Sequence, residues 1–263
     1  MSPFDEIVSL FHIILTDTYY ITTMLDRYTV VSLLTGKGLF YMKIVIINGS
    51  PRINGFTSTI LHEIERNLIN KDVSVEYFNL SELSIQQCRG CCSCFVLGKC
   101  IIDDYGDKLS NIIANSDGLV LGTPTYASNV SGYMKTLIDR GHFVIEHLLK
   151  NKQCITVVTG ENYGKNDASK ILNKLVLFSG GYLSSKIAIN ALFEIRPVLS
   201  IKHKKICKNA SIKLHDSINK NKEPLLQQLL HFFVFNFGIK PFVLRKGSKY
   251  AGVIRKWKEL NII

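Results

Sequence analysis

The sequence predicts an α/β fold: a doubly wound, five-stranded parallel sheet followed by a basic, partly helical C-terminal appendage. Three observations carry this expectation. Short apolar runs rich in β-branched residues alternate with segments of helical periodicity. Several of those runs break abruptly into turn-forming residues, as strands do where they enter a loop before a helix. The charge is segregated: the net +11 of the 263 residues falls within 194–263, which hold 15 Lys+Arg against 4 Asp+Glu, whereas 1–193 hold 17 of each.

Taken in order, the first strand is Ile44 to Ile47 behind Lys43, short and apolar enough to be buried on both faces. It runs into Asn48, Gly49, Ser50, Pro51, Arg52, Asn54 and Gly55, and from Thr57 a helix follows with Ile60, Leu61, Ile64 and Leu68 on one face. Val73 to Leu80 alternates like a second strand. A cysteine-rich loop comes next, then a helix capped by Asp103 or Asp104 and carrying Leu109, Ile112 and Ile113. Gly118 to Gly122 is the third strand and enters the turn Thr123-Pro-Thr-Tyr-Ala-Ser-Asn129; Val130 to His142 is helical, with Met134, Leu137 and Ile138 aligned. Gln153 to Gly160 is the fourth strand, followed by Thr159-Gly-Glu-Asn-Tyr-Gly164, a helix from Ala168 to Phe178 and a last strand from Tyr182 to Ile189. Residues 1–41 break this rhythm. They are read either as a helical extension or as sequence upstream of a start at Met42, and no functional role is assigned to them.

In a parallel sheet of this kind the ligand sits at the carboxyl ends of the strands. Three loops therefore converge on one rim. In the first, Ser50, Thr57 and Ser58 can donate to a phosphate monoester and Arg52 can fork onto it, at the start of a helix that itself favours anions. The loop lacks the Gly-Lys-Ser/Thr ending of a triphosphate P-loop and the Gly-x-Gly-x-x-Gly spacing of dinucleotide folds. The second loop offers Pro124, Thr125 and Tyr126, and the third Thr159 and Gly160: an aromatic wall plus backbone donors, which suits a flat ring with a polar edge.

Asn48-Gly-Ser-Pro-Arg-x-x-Gly-x-Thr57 resembles the first loop of the NAD(P)H-dependent, FMN-binding reductases of the flavodoxin-like superfamily, and within it that of the iron–sulfur flavoproteins. The resemblance spans roughly Met42 to Ala191 and implies a flavodoxin-like domain over 42–192, with 1–41 as an extension and 193–263 as the appendage. It implies FMN, with its phosphate at Ser50, Arg52, Asn54, Thr57 and Ser58. Its ring would lie beside Pro124, Thr125, Tyr126, Asn129, Thr159 and Gly160. A second motif of that family is matched by Pro124-Thr-Tyr126, Ser131-Gly132, Lys135 and Asp139-Arg140, although Asp139-Arg140 also reads as an ordinary ion pair at a helix end.

Five of the seven cysteines lie between Cys88 and Cys100, unlike a secreted disulfide framework. Their pattern, C-x2-C-x2-C-x5-C, contains two consecutive x2 gaps, as in chains wrapped around a cubane. Four thiolates also suit zinc, and a redox-active loop without metal is a third reading. The resemblance to iron–sulfur flavoproteins implies a [4Fe–4S] cluster on Cys88, Cys91, Cys94 and Cys100, with Cys92 spare.

The function expected is that of an FMN-dependent NAD(P)H oxidoreductase or electron-transfer flavoprotein; the alternative is a flavodoxin-like carrier with no small substrate of its own. Either takes electrons from a nicotinamide or a redox protein. No side chain is nominated as catalytic, because the flavin carries the chemistry; His62, His142 and His147 read as surface or core residues. In the tail, Lys202 to Lys222 is polar and basic, with Cys207 isolated and assigned no importance. Leu225 to Ile239 is strongly apolar, too short and interrupted to span a bilayer, and reads as a helix packed on a partner subunit, with an interfacial membrane helix as the alternative. The ending Trp257-Lys-Glu259 resembles oligomeric members of the family, so a homo-oligomer is expected. The basic tail reads as a solvated appendage, with no nucleic-acid partner expected. No Lys or Arg precedes Arg27 and no secretory pattern is visible, so the expected compartment is the cytoplasm.

Overall fold

The computed structural model describes residues 42–71, 73–191 and 197–263, and within it Met42–Ile263 form one compact unit. The reading of residues 1–41 lies outside the described residues. Five parallel strands, β1 (Lys43–Asn48), β2 (Ser74–Asn79), β3 (Gly118–Pro124), β4 (Gln153–Gly160) and β5 (Tyr182–Asn190), form one sheet in the order β2-β1-β3-β4-β5. Ile44 pairs with Val75 on one side and Gly118 on the other, so the chain order reverses between β1 and β3. That reversal opens a crevice at the carboxyl edge of the sheet.

The helices α1 (Phe56–Ile69), α2 (Ser93–Leu97), α3 (Tyr105–Ala114), α4 (Gly132–Arg140), α5 (Lys165–Phe178) and α6 (Ile201–Asn219) include the two layers that cover the sheet. Alternate strand residues face opposite layers, as the pleat requires. Val45, Ile47, Leu119, Leu121 and Val158 pack with Leu109, Ile113, Met134, Leu137 and Leu172 of α3, α4 and α5. Ile44, Ile46, Val120, Ile155, Val157 and Ile187 pack with Ile60, Leu61, Ile64 and Leu68 of α1 and with Cys207, Ala210 and Leu214 of α6.

Two expectations need adjusting. The helix expected over Val130 to His142 is confined to Gly132–Arg140: the Ser131 hydroxyl caps its start by accepting from the Met134 amide (3.1 Å), and His142 turns to a positive φ of 51° beyond its end. Cys207, to which no importance was given, is fully buried, with its thiol pushed up to about 12 by burial. It sits on α6, which the sequence placed in a polar appendage; the helix lies on the sheet because its small residues Cys207, Ala210 and Ser211 face α1.

The last stretch is helical throughout: α7 (Leu225–Phe233), a π-helical segment Val234–Ile239, α8 (Lys240–Lys246), a 3₁₀ turn Gly247–Tyr250 and α9 (Ala251–Glu259). The widened segment ends two residues before Pro241, whose ring clashes with the preceding turn and which lacks an N–H to continue an α-helical ladder. Gln227 covers the exposed edge of β5: its side-chain oxygen accepts from the Leu183 amide (2.8 Å) and its side-chain nitrogen donates to the Leu183 carbonyl (3.2 Å). A third small core forms from Phe235, Val243, Val253 and Trp257, with Phe95 and Tyr250 against it. Among the described residues, no helix is long and apolar enough to cross a membrane.

Candidate functional site

The first loop is shaped by Asn48, which is buried at the end of β1. Its amide nitrogen donates to Asn79 Oδ1 (2.9 Å) and its oxygen accepts from the Ser50 amide (3.0 Å). The Ser50 hydroxyl accepts from the Arg52 amide and donates to the Arg52 carbonyl, each at 3.1 Å, and Gly55 N–H donates to that same carbonyl (3.0 Å). The backbone thus curls before α1. Gly49 is required there: a Cβ at this position would stand 2.9 Å from Met134 Cβ and 3.1 Å from the Gly122 carbonyl. The first turn of α1 has no side-chain cap and no acidic residue, so its positive end faces the loop uncompensated.

The second loop leaves β3 at Pro124. Tyr126 and Asn129 exchange backbone hydrogen bonds (3.0 and 2.9 Å) across Ala127 and Ser128, whose φ values of 46° and 61° make a tight turn of the primed type. The third loop approaches it closely. A Cβ on Gly164, at φ +84°, would lie 2.6 Å from Ser128 Oγ. Thr125 N–H donates to the Thr159 carbonyl (2.8 Å), and Thr159 Oγ1 lies 2.7 Å from Thr57 Oγ1, which ties the third loop to α1. Ser131, which the sequence matched to the second family motif without giving it a contact of its own, joins the first loop to α4: its hydroxyl donates to the Gly49 carbonyl (2.5 Å) while accepting from Met134 N–H. Its own amide donates to Thr123 Oγ1 (3.0 Å).

Ser50, Arg52, Thr57, Pro124, Thr125, Thr159 and Gly160 all line one narrow slot, with Phe56, Glu161 and Ala191. Beside it a cleft of about 400 Å³ is walled by Pro51, Leu80, Leu83, Ile85, Tyr126 and Tyr133. Asn54 lies on the outer side of the first loop, in another cleft. Ser58 is buried at 3.3 Å from the Tyr77 hydroxyl, which burial pushes up to about 12 and so keeps neutral. Asn129 serves the turn, donating its amide to Tyr126 and accepting from Val130 N–H through its side chain (2.8 Å). The apolar wall from Leu80, Leu83 and Ile85 escaped the sequence reading, since no motif marks the stretch after β2.

These residues suit FMN by two observations. An uncapped helix start beside hydroxyls and an arginine fits a phosphate. Thr125 Oγ1 is buried without a hydrogen-bond partner, a donor left over for a bound group.

The matched pair Asp139-Arg140 divides. Asp139 is half of an exposed pair with Lys135 (2.6 Å) four residues earlier. Arg140, 2 % exposed, makes a bidentate pair with Asp104 (2.8 and 2.8 Å) and donates to the Gln86 carbonyl (2.7 Å). Of the two expected caps, Asp104 is the one used: it accepts from Gly106 N–H (2.8 Å) and from Gln86 N–H (2.7 Å). Although burial disfavours its charge, these bonds and Arg140 hold its carboxyl below the usual range. The pair therefore pins the point where the cysteine loop begins.

In that loop Cys88 and Cys91 are exposed, Cys94 and Cys100 half-buried, and all are free. Hydrogen bonds from Ser93 lower the Cys91 thiol. His142 faces Cys94: burial works against its charge, yet hydrogen bonds with Cys94 and Glu146 push it up to about 10. The four thiols are chemically suited to iron, but among the described residues no three His, Cys, Asp or Glu side chains come together as a metal-holding group.

The family model described as NADPH-dependent FMN reductase matches residues 42–191. An iron–sulfur flavoprotein of Clostridioides difficile (strain 630) is 38% identical over 227 residues, covering 84% of this chain and 100% of the relative. An iron–sulfur flavoprotein of Archaeoglobus fulgidus is 37% identical over 128 residues, 47% of this chain and 57% of its own length. Among solved structures, the apo form of an NADH:FMN oxidoreductase superposes with a TM-score of 0.53 at 18% identity, covering 70% of this chain and 92% of that one, a likeness of fold.

Proposed function

Starting from the fact that this chain belongs to the NADPH-dependent FMN reductase family, whose members are FMN-dependent oxidoreductases, we propose that it passes electrons from a reduced nicotinamide through FMN to an acceptor. FMN, when bound, supplies a centre that takes up an electron pair and can give up electrons singly. The protein's share is binding and orientation. Ser50, Arg52 and Thr57, which line the slot, would hold the phosphate at the start of α1, with Asn54 and Ser58 in the loop and helix turn around them. Pro124, Thr125, Tyr126, Asn129, Thr159 and Gly160 would hold the ring, with Thr125 Oγ1 as donor to its polar edge. Leu80, Leu83 and Ile85 would exclude water beside it. No side chain is assigned a proton-transfer role.

The convergence of three strand-end loops on one slot, with an unpartnered Thr125 hydroxyl inside it, carries this reading. Its test is the absorption spectrum of anaerobically purified protein followed by addition of NADH and NADPH. Bound FMN that is bleached by either nicotinamide supports an enzyme. Bound FMN that neither nicotinamide reduces would favour the carrier, and protein unable to bind FMN would overturn the reading.

Cys88, Cys91, Cys94 and Cys100 belong to the same proposal as holders of a [4Fe–4S] cluster, supported by the donor set and by what the relatives are called. The sulfurs are not gathered in this structure, so binding requires the loop to close, and no electron step is derived through it. Iron and acid-labile sulfide assays on the same sample decide: about four irons per chain is the expected result. The free thiols fit a reducing compartment, and the cytoplasm is the proposed location. A homo-oligomer is proposed from the outer stripe of α7 to α8, where Leu226 is 82 % and Phe237 72 % exposed in line with Leu230, Phe233 and Leu244. Light scattering showing a monomer would remove that part.

A further inference from the structure

We infer that the C-terminal segment Gly247–Glu259 is a clasp that positions the turn bearing Cys92 and Cys94, with Gly252 and Arg255 as its working residues. The inference rests on the proposed function only for what the cysteines bind; the clasp itself stands on geometry. α2 has five residues and buries none of them, and both flanking residues, Cys92 and Gly98, take left-handed conformations. A helix that short has no stability of its own. Its order must come from what holds it, and α9 with the preceding 3₁₀ turn does so at three points and is itself anchored at a fourth.

The first is backbone against backbone. A Cβ on Gly252 would lie 2.1 Å from Gly98 N and 2.7 Å from Gly98 Cα and from the Leu97 carbonyl carbon, so no side chain fits there. The second is a cap from outside the helix: Arg255 Nη2 donates to the Leu97 carbonyl (2.6 Å), one of the acceptors a helix end leaves unpaired. Third, the rings of Phe95 and Tyr250 stack at 4.7 Å with 12° between their planes. Fourth, α9 is itself anchored on the stretch after α4. Trp257 is fully buried and its indole donates to the Ile145 carbonyl (2.8 Å), and Lys256 pairs with the buried Glu146, whose other oxygen meets His142 Nδ1 at 2.9 Å. Glycine in the first turn of α9 disfavours that helix, so its position is explained by the contact and not by local structure.

This gives a variant whose sign discriminates. Gly252→Ala improves helix propensity by roughly 1 kcal/mol if nothing lies against it. If the clasp exists, the same change pushes α9 off the cysteine turn. The experiment is peptide-resolved hydrogen exchange on the full-length protein, wild type and Gly252→Ala, as purified and with FMN content recorded. The expected result is that amides 95–98, including Phe95 N–H on the Cys92 carbonyl and Gly98 N–H on the Cys94 carbonyl, exchange at least about tenfold faster, while β1 exchange and FMN content hold. Arg255→Ala, which removes one hydrogen bond without a clash, should speed the same amides by a smaller factor. It keeps the test decisive if Gly252→Ala misfolds. Unchanged exchange at 95–98 in both variants would overturn the clasp. Because this readout needs neither iron nor nicotinamide, a wild type without a cluster would refute the cluster reading and leave the clasp standing.

Discussion

Ser131→Ala separates the architecture of the site from the chemistry assigned to it. The hydroxyl makes two bonds in a buried place: it donates to the Gly49 carbonyl at 2.5 Å and accepts from Met134 N–H at 3.1 Å. Losing an N-cap costs about 1 kcal/mol. Removing the donor from a buried carbonyl costs a further 1–3 kcal/mol or so when nothing replaces it. The sum, about 2–4 kcal/mol, should show in urea or thermal unfolding of the FMN-free protein. Gly49 opens the loop assigned to the phosphate, and part of this loss falls on the ordering of that loop. Each 1.4 kcal/mol is tenfold in affinity, so FMN binding, followed by quenching of flavin fluorescence, should weaken about tenfold or more. Ser131→Thr keeps the hydroxyl and should recover most of both effects. A Ser131→Ala protein with wild-type unfolding and wild-type FMN affinity would refute the claim that this side chain joins the first loop to α4.

Three further outcomes are expected. Asp104→Asn leaves Arg140 charged and unpaired in a buried place, at a cost of about 3–5 kcal/mol; because the folded carboxyl titrates below its ordinary value, the wild-type pair contributes above that value and loses its contribution as pH falls through the lowered one, so the variant should show a shallower acid transition. His147, buried against His231, Phe235 and Trp257 with Lys150 also nearby, has its pKa pushed down to about 3 by burial first and then by electrostatic repulsion from His231 and Lys150. The unfolded chain therefore takes up a proton below about 6.5 that the folded chain refuses, and about 2 kcal/mol of stability is lost between pH 7 and pH 5, a loss that His147→Phe should abolish in paired unfolding curves. Gly164→Ala places a Cβ against Ser128 at a positive φ and should weaken FMN binding while leaving the unfolding midpoint within a few degrees, measured by the same fluorescence titration and a thermal melt.

The strands were legible because each is a local signal. Val73 to Leu80 was expected where Ser74–Asn79 pairs with β1, and Tyr182 to Ile189 where Tyr182–Asn190 pairs with β4. The central strands Lys43–Asn48 and Gly118–Pro124 are apolar runs buried on both faces, whereas the edge strands Ser74–Asn79 and Tyr182–Asn190 are only partly buried. The helix α6 was not legible as part of the sheet domain. Its buried positions are Cys207, Ala210, Ser211, Leu214 and Ser217, all but Leu214 small enough for close approach to α1, and they are set among lysines. A hydrophobic stripe made of small residues carries little signal, so the basic composition dominated and the segment read as an appendage.

The same distinction explains how much of the site could be read. The first loop is contiguous, with Asn48, Gly49, Ser50 and Gly55 each needed by the curl itself, so its sequence and its shape carry the same information. Arg140 and Asp104 lie 36 positions apart, and each had a sufficient local explanation, one as a helix-end charge and the other as a cap. The contact of Gly98 with Gly252 is further beyond local reading, because a glycine after a short helix and a glycine in another helix's first turn are each unremarkable alone. Only their juxtaposition shows that a Cβ is forbidden at 252. A cysteine spacing can therefore suggest which atoms share a metal, but not what holds them in place. In this chain the holding residues come from the last segment of the sequence, whose excess of lysines had suggested only a solvated tail. Gln227 on the edge of β5, Arg255 on the end of α2 and Trp257 in the third core show that segment fastened to the sheet domain through polar and aromatic contacts at single residues. Contacts of that kind leave no periodic trace in a sequence, whatever their effect on the loop they secure.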